Sequence, residues 1–349
     1  MNWCDTKLGE VLIFKNGKKR PSENGEIPVY GGNGILGFSN QANNENCIVI
    51  GRVGAYCGSV YYEHGKCWVS DNAICAIPKD ENDISFLYYL LKHLELNKKH
   101  IGTSQPLLTQ EILNSIMCKV PERDQQLKIG RVLCCIDEKI ECNKRINDNL
   151  QQQASAIYQA WFEEFLLSGG SCPSTWKHGI LADIANITSG KRPSVKFFGM
   201  TENAVIPIVG AASIMGYTSE SNHTDKILVT GRVGTHGVIQ RFSSPCWTSD
   251  NTLVITSDLY EYTYQLLKRI DYHSMNRGST QPLITQSDMN KVPILIPDSE
   301  TLNNFELLAG KLMEQYQSNL LESRKLAELQ DTLLPKLISG EIDVSNLQL

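Results

Sequence analysis

The sequence predicts an α+β fold in which two globular domains of mixed α/β structure, related by pseudo-twofold symmetry, are joined by two long helices with coiled-coil periodicity. Two observations lead to this prediction. Segments of the first half recur in the second half at offsets of 180, 179 and 176 residues, which indicates a diverged duplication of domain size. Each copy is followed by a long stretch in which apolar residues recur every three or four positions, as in a coiled coil.

Short landmark segments define the two copies. They recur in pairs: Gly51–Gly54 with Gly231–Gly234, Trp68–Asn72 with Trp247–Asn251, and Gly102–Gln110 with Gly278–Gln286. Shorter matches link the basic turns 17–22 and 190–194, and Gly37-Phe38 with Gly216-Tyr217. The spacing drifts between landmarks, as expected where loops vary in length. We therefore expect domains at residues 1–120 and 171–299, with connectors at 121–170 and 300–349.

Within each copy, β-branched and aromatic runs separated by Gly and Asn predict short strands. These predicted strands lie at 47–50, 60–62 and 73–76, with counterparts at 227–229, 237–240 and 252–255. Short helices are predicted at 86–94 and 262–270. Thr109 and Thr285 are expected to cap further helices, because a Thr side chain accepts a hydrogen bond from an early amide.

The connectors predict two long helices, at 122–165 and 300–338, whose apolar stripes are most simply buried against each other. No Pro or Gly lies between Arg131 and Leu167. The predicted seam pattern runs from Ile129 to Trp161 on the first helix, through Ile136, Ile140, Asn143, Asn147 and Leu150. On the second helix it runs from Phe305 to Leu337, through Leu308, Tyr316, Asn319, Ser323, Leu326 and Leu329. The polar middle of both seams either fixes the helix register or faces solvent where the helices separate.

Composition excludes several classes of protein. Residues 1–120 carry 12 basic and 12 acidic groups, and the net charge of −5 arises mainly in the connectors, so non-specific attraction to phosphate should be modest. No apolar run suits a membrane span or a secretory signal, and the expected location is the cytoplasm. The 11 cysteines contain no C-x-x-C pair, which favours reduced thiols and no metal site.

The repeated polar residues are candidates for DNA contact, each with a structural alternative. Arg52 and Arg232 would meet phosphate or a guanine edge, or else pair internally with Asp71 and Asp250. Asn72 and Asn251 either belong to a turn or bond adenine, and the turn is favoured. The glutamines and basic turns serve either as contacts or as loop and surface residues. The full candidate set is Lys18, Lys19, Arg20, Arg52, Tyr56, Gln105, Lys191, Arg192, Arg232, His236 and Gln281.

Catalytic motifs are missing from the sequence: there is no G-x-S-x-G, H-E-x-x-H or P-loop, nor an adenine-methylase Asn-Pro-Pro-aromatic tetrad. Gly31-Gly32-Asn33-Gly34 is rich in glycine, but its counterpart Gly210-Ala211-Ala212-Ser213 keeps only the first glycine, so it is not expected to cradle a cofactor. The sequence therefore indicates a binding protein with no catalytic residue of its own.

Three features together resemble the specificity subunit of type I restriction-modification systems. These are the Gly-x-x-Gln-Pro-Leu-x-Thr segments, the run from Pro121 to Phe162, and the C-terminal stretch from Gln330 to Ile342. The resemblance covers nearly the whole chain. It implies two target recognition domains, each reading one half of a gapped, asymmetric site in double-stranded DNA, and two helices that form an antiparallel coiled coil and so set the gap.

The resemblance also implies partners: two methyltransferase subunits, and in some systems a restriction (translocase) subunit. S-adenosylmethionine and ATP with Mg²⁺ would belong to those subunits, and this chain would bind no cofactor. Two alternatives remain open: a tandem interaction scaffold that binds peptide or carbohydrate, and an orphan specificity subunit that supports methylation only.

Overall fold

The computed structural model describes residues 3–102, 105–275 and 283–347. The chain divides into two compact units, which we describe separately. Unit 1 comprises residues 1–144 and 320–349, and unit 2 comprises residues 145–319. Both boundaries lie inside long helices, so each helix contributes residues to both units.

Unit 1 combines a six-stranded sheet, in the order β2-β7-β5-β6-β3-β4, with a two-stranded sheet of β1 and β8. Its strands are β1 (Trp3–Lys7), β2 (Leu12–Asn16), β3 (Ile27–Gly31), β4 (Gly34–Ser39), β5 (Asn44–Gly51), β6 (Val60–Val69), β7 (Ala73–Pro78) and β8 (Met117–Pro121). Its helices are α1 (Leu8–Val11), α2 (Ile84–His93), α3 (Gln110–Ser115) and the first part of α4 (Arg123–Tyr158).

Unit 2 repeats this plan with shorter strands. Its strands are β9 (Lys177–Ile180), β10 (Asn186–Ser189), β11 (Ile206–Val209), β12 (Ile214–Thr218), β13 (Ile227–Gly231), β14 (Gln240–Phe242), β15 (Trp247–Thr248), β16 (Thr252–Thr256) and β17 (Pro293–Ile296). Its helices include α5 (Tyr260–Leu267), α6 (Gln286–Asn290) and most of α7 (Ser299–Ser339). The long strand β6 corresponds here to two pieces, β14 and β15, so the sheet is divided into four-stranded and three-stranded parts.

Alternation along β5 explains how the sheet is buried on both sides. Ile48 and Ile50 join the large core beneath α2, whereas Cys47 and Val49 pack in a smaller cluster on the opposite face. This is the period of two that a strand imposes on its side chains. All four side chains are fully buried, which is why the predicted strand at 47–50 was readable from the sequence.

Most predicted elements are confirmed, and two predictions are wrong. The strand expected at 237–240 begins only at Gln240, because Gly237 adopts a φ of 77° and the preceding residues turn. Leu308 and Leu329, expected in the helix seam, are exposed by 39% and 46%. The buried stripe of α7 in unit 2 contains the predicted Phe305 together with Leu302, Ala309 and Met313.

Side chains accept hydrogen bonds from the backbone amides that lack a partner in the first turn of several helices. Thr109 accepts from the amide of Ile112, and Thr285 from that of Asp288, both at 3.2 Å. In unit 2, the Glu306 carboxylate of α7 accepts from the amides of Glu261 and Tyr262 at 3.0 and 2.7 Å, so one helix caps another. Burial raises the pKa of this carboxyl.

All 11 cysteines are free, and six of them are buried. Burial raises the pKa of Cys118 and of Cys246 to about 11, so these thiols stay protonated near neutral pH. Over the described residues, no group of three or more His, Cys, Asp or Glu side chains is placed to hold a metal ion. In the same part of the chain, no helix is both long and apolar enough to cross a membrane.

Candidate functional site

Three repeated landmark segments meet in unit 1 through backbone hydrogen bonds. The amide of Arg52 donates to the carbonyl of Asn72 at 2.9 Å, and the carbonyl of Arg52 accepts from the amide of Leu108 at 2.9 Å. The amide of Gly54 donates to the carbonyl of Pro106 at 3.0 Å. We call this joined set, Gly51–Gly54 with 70–72 and 106–108, the frame of unit 1.

Unit 2 contains the same frame, built from Gly231–Gly234, residues 249–251 and residues 283–284. The amide of Arg232 donates to the carbonyl of Asn251 at 2.8 Å, and its carbonyl accepts from the amide of Ile284 at 3.0 Å. Val233 forms an antiparallel bridge with Leu283, as Val53 does with Leu107 in unit 1. The repeat therefore preserves a bonded arrangement and not only a sequence pattern.

The glycines of the frame are required by close approach and by backbone conformation. A Cβ on Gly51 would lie 2.3 Å from a carbonyl oxygen of the following loop, and one on Gly231 would lie 1.9 Å from another. Gly54 and Gly234 adopt φ values of 75° and 84°, which disfavour side chains. Both glycines of Gly-Arg-Val-Gly thus have structural reasons to recur.

In each unit a tryptophan that precedes a frame segment donates a hydrogen bond to the basic turn. The indole of Trp68 donates to the carbonyl of Lys18 at 3.1 Å, and that of Trp247 donates to the carbonyl of Lys191 at 2.7 Å. These Trp residues open the segments that lead into the frame. The candidate side chains of the turns are exposed: Lys18, Lys19, Arg20, Lys191 and Arg192.

The frame arginines do not form the internal ion pairs considered as their structural alternative. Among the described residues, no ion pair joins Arg52 to Asp71 or Arg232 to Asp250, and both aspartates are exposed. Arg52 and Arg232 are half-buried, and Nε of Arg52 is buried without a hydrogen-bond partner. Their guanidinium groups therefore have donor capacity that these aspartates do not use.

The remaining candidates are placed as follows. Asn72 and Asn251 lie in the turns that close the Ser-Asp-Asn segments, with exposed side chains. Tyr56 is 53% exposed and Gln105 is exposed. Gln281 lies outside the described residues.

The helix seam carries buried asparagines in both units. In unit 1, Ile136 is buried and Nδ2 of Asn143 donates to Glu322 at 2.8 Å and to Ser323 at 3.2 Å. In unit 2, Nδ2 of Asn319 donates to Oδ1 of Asn147 at 2.9 Å. Increasing numbers on α4 meet decreasing numbers on α7, which is the antiparallel arrangement.

The other residues proposed for the seam near these asparagines are less deeply buried than the asparagines themselves. Ile140, Leu150, Tyr316, Ser323 and Leu326 are all half-buried. Asn143, Asn147 and Asn319 are exposed by only 1%, 4% and 5%. The polar middle of the seam is therefore buried and bonded, and is not a place where the helices open to solvent.

Comparison with known protein families identifies the fold and the repeat. The model of the type I restriction modification DNA specificity domain matches residues 1–152 and again residues 173–331. The chain belongs to this family. The match covers most of the chain, and its two copies correspond to the duplication read from the landmarks.

Curated relatives and one solved structure agree with this membership. The MjaIX specificity subunit of Methanocaldococcus jannaschii is 29% identical over 314 residues, covering 78% of this chain and 72% of the relative. The HindI specificity subunit of Haemophilus influenzae is 23% identical, covering 78% and 79%. The crystal structure of a type I S subunit from M. genitalium matches with a TM-score of 0.73 over 99% of this chain and 97% of that one, at 17% identity, and so shares its fold.

The two frames of this specificity-family chain differ in what binds the carbonyl of their first glycine. In unit 1 the carbonyl of Gly51 accepts from the amide of Gly58 at 2.8 Å. In unit 2 the carbonyl of Gly231 lies 3.0 Å from Nδ1 of His236, so the imidazole takes the place of that amide. A proton on Nδ1 leaves Nε2 as an acceptor in the neutral ring.

His236 also lines a cavity of about 510 Å³. Lys268 lines the same cavity, and burial lowers the pKa of its amine, with Arg269 and Arg241 adding to that effect. In unit 1 the loop after Gly54 is a short 3-10 turn that exposes Tyr56 instead. The two units thus surround the same frame with different chemistry.

One pair of exposed sites was missed by sequence reasoning. Ile35 and Leu36 follow the first residue of β4, and Ile214 and Met215 begin β12, at 36–51% exposure. Their signal was available, because the Gly37-Phe38 and Gly216-Tyr217 match extends backwards over two apolar residues in each copy.

Proposed function

We propose that this chain selects the DNA sequence on which a type I restriction-modification enzyme acts, with residues 1–120 and 171–299 each reading one half of a gapped, asymmetric site. The observation that carries the proposal is the frame, which occurs twice with the same two backbone hydrogen bonds of its arginine. Loops of different composition surround the two frames, and a scaffold with variable loops suits two different half-sites.

The frames present groups of the kind that bind nucleic acid. Exposed basic turns held by Trp68 and Trp247 suit phosphate contact, which fixes position without reading sequence. The half-buried arginines Arg52 and Arg232 suit either a phosphate or a guanine edge. Tyr56, Gln105, His236 and Gln281 complete the proposed contact set.

A methyltransferase partner would supply the DNA affinity that the near-neutral recognition domains lack. The two recognition domains are close to neutral, so the isolated chain should bind DNA weakly, and a partner must supply additional contacts. The helices offer a surface for such a partner. Leu307, Leu320 and Leu321 of α7 are exposed by 62%, 43% and 50%, although they are large apolar residues.

In this proposal the chemistry belongs to the partners. Two methyltransferase subunits would dock on the helices and use S-adenosylmethionine to modify adenine. A restriction (translocase) subunit would add ATP- and Mg²⁺-dependent activity. The present chain would contribute recognition and spacing, and no catalytic residue.

The test is co-expression of the chain with a type I methyltransferase subunit from the same genome, followed by sequencing of the genome for modified adenines. We expect one motif made of two defined halves separated by unspecified bases. Absence of modified adenines, or a continuous motif, would contradict the proposal. A peptide- or carbohydrate-binding scaffold would leave the methylation pattern unchanged when its gene is deleted.

Variants then assign the halves. Arg52→Ala should reduce methylation or relax the specificity of one half-site, and Arg232→Ala should do so for the other. Lys119→Ala and Lys177→Ala are matched controls, because both lysines are exposed and lie on β8 and β9, away from the frame segments in sequence. Equal effects of the control and frame variants would refute the assignment.

A further inference from the structure

The hairpins β3–β4 and β11–β12 place an exposed apolar pair beside each frame. In unit 1 a Cβ added to Gly32, at the hairpin tip, would lie 3.5 Å from the carbonyl oxygen of Val53. In unit 2, a Cβ on Gly231 would lie 2.9 Å from Cβ of Ala211 at the corresponding tip. The apolar pairs that follow the tips therefore lie close to the frames.

The same irregularity in strand pairing occurs in both hairpins. In unit 1, Tyr30 pairs with Ile35 and Val29 with Gly37, which leaves Leu36 as the extra residue of a β-bulge. In unit 2, Val209 pairs with Ile214 and Ile208 with Gly216, which leaves Met215 as the extra residue. A bulge redirects a side chain and is found preferentially on edge strands near functional sites. Both β4 and β12 are edge strands.

The apolar side chains at the two bulges are exposed. Ile35 and Leu36 are exposed by 51% and 46%, and Ile214 and Met215 by 47% and 36%. Burial in a core does not explain why both copies keep aliphatic residues here. The exact side chain differs at the extra position, Leu in one copy and Met in the other.

A cationic side chain lies against each bulge. Nη1 of Arg20 donates to the carbonyl of Leu36 at 3.4 Å, and Nη2 of Arg20 lies 2.6 Å from where a Cβ on Gly37 would stand. Cε of Lys196 lies 2.9 Å from the corresponding position on Gly216. The glycines leave room for these chains, so each unit combines an aliphatic pair with an adjacent positive charge.

We propose that Leu36 and Met215, each assisted by the preceding isoleucine, read the 5-methyl group of thymine in the half-site bound by their unit. This inference rests on the proposed function. A cation beside the pair suits an anionic partner, and a hairpin at the edge of a sheet suits the wide major groove better than the narrow minor groove. In the major groove the apolar group that distinguishes one base from another is the thymine methyl.

The experiment uses the chain in complex with its methyltransferase and duplexes that carry the mapped site. Thymines in the half-sites are replaced one at a time by deoxyuridine, which lacks only the methyl group. Wild type should bind about fourfold more weakly when a contacted methyl is removed, since burial of one such group changes affinity by about that factor.

The variants test which side chain senses which methyl group. Leu36→Ala should bind the thymine duplex more weakly and lose its thymine preference in one half-site while keeping it in the other. Met215→Ala should show the reverse pattern. Leu36→Met and Met215→Leu should keep the preference, because both substitutions conserve volume and apolar character.

Ile13→Ala and Ile180→Ala are the matched controls, because both isoleucines are 40% exposed and lie on strands outside the hairpins. They should bind thymine and deoxyuridine duplexes as wild type does. The inference is overturned if a half-site has no T·A pair, if wild type ignores every deoxyuridine, or if Leu36→Ala and Met215→Ala still discriminate. Lack of any divided methylated motif would instead refute the proposed function itself.

Discussion

The buried pair Asn147–Asn319 predicts strongly non-additive effects on the stability of the helix seam. Asn147→Leu removes the acceptor of the Asn319 amide and the donor to the carbonyl of Tyr316. The Asn319 amide is then left in a site that is only 5% exposed. Leaving a buried donor unpaired costs about 1–3 kcal/mol. Asn319→Leu should cost a similar amount, because Oδ1 of Asn147 loses its partner.

The double variant should recover most of this loss. When both asparagines become leucine, no polar group of the pair remains unpaired, and two apolar side chains meet in a buried seam. Replacing both partners of a buried polar contact by apolar groups is nearly neutral or stabilising. Two independent losses would add to about 2–6 kcal/mol, whereas we expect a value near zero.

Urea unfolding of the full chain, followed by circular dichroism at the helix band, measures these differences. Asn303→Leu is the matched control, since Asn303 is exposed on α7, and it should stay within about 0.5 kcal/mol of wild type. A double variant destabilised by the sum of its singles would refute the argument. So would single variants as stable as wild type.

Three further predictions concern single sites. Gly310→Ala should raise the free energy of unfolding by about 0.5–1 kcal/mol, because Gly310 lies in a helix with open space around it and Ala is the better helix former. Gly231→Ala should lower it by about 1–3 kcal/mol, because the added Cβ would clash with a carbonyl oxygen. Urea unfolding measures both changes. Trp68→Phe should destabilise unit 1 by about 1 kcal/mol through loss of the bond to Lys18, and a melting curve unchanged from wild type would contradict this. Ellman's reagent at pH 8 should react rapidly with four thiols of the native chain and with all 11 thiols in denaturant. Rapid reaction of the buried thiols in the native chain would contradict their raised pKa values. The four exposed thiols are Cys4, Cys135, Cys142 and Cys172.

Local patterns made much of the fold predictable. The strand at 47–50 was readable because its residues are apolar on both faces, and the caps at Thr109 and Thr285 because capping needs only a hydroxyl at one position. The duplication added information that a single copy lacks. It marked the frame segments before any contact between them was known.

Other features depend on tertiary register, which one sequence does not reveal. The bulge at Leu36 arises from how β3 pairs with β4, and neither strand alone specifies it. The strand start was misplaced at Gly237 because the backbone conformation of that glycine is set by its surroundings. The role of His236 could not be read from the sequence either. Its ring bonds the carbonyl of Gly231, whereas in unit 1 the backbone amide of Gly58 bonds the equivalent carbonyl.

Unit 1 is formed by two separate segments of the chain, and this affects the order of folding during synthesis. Leu337, Ile338 and Val344 lie in the same core as Leu8 and Leu12, although more than 300 residues separate them in sequence. Unit 2 is one continuous segment, 145–319, and is synthesised before residues 337–344. Domains fold as units while the chain emerges. The N-terminal segment of unit 1 therefore completes its core only after residues 337–344 are synthesised, whereas unit 2 needs none of them, and a polypeptide that ends before residue 337 would contain all of unit 2 but only part of the unit 1 core.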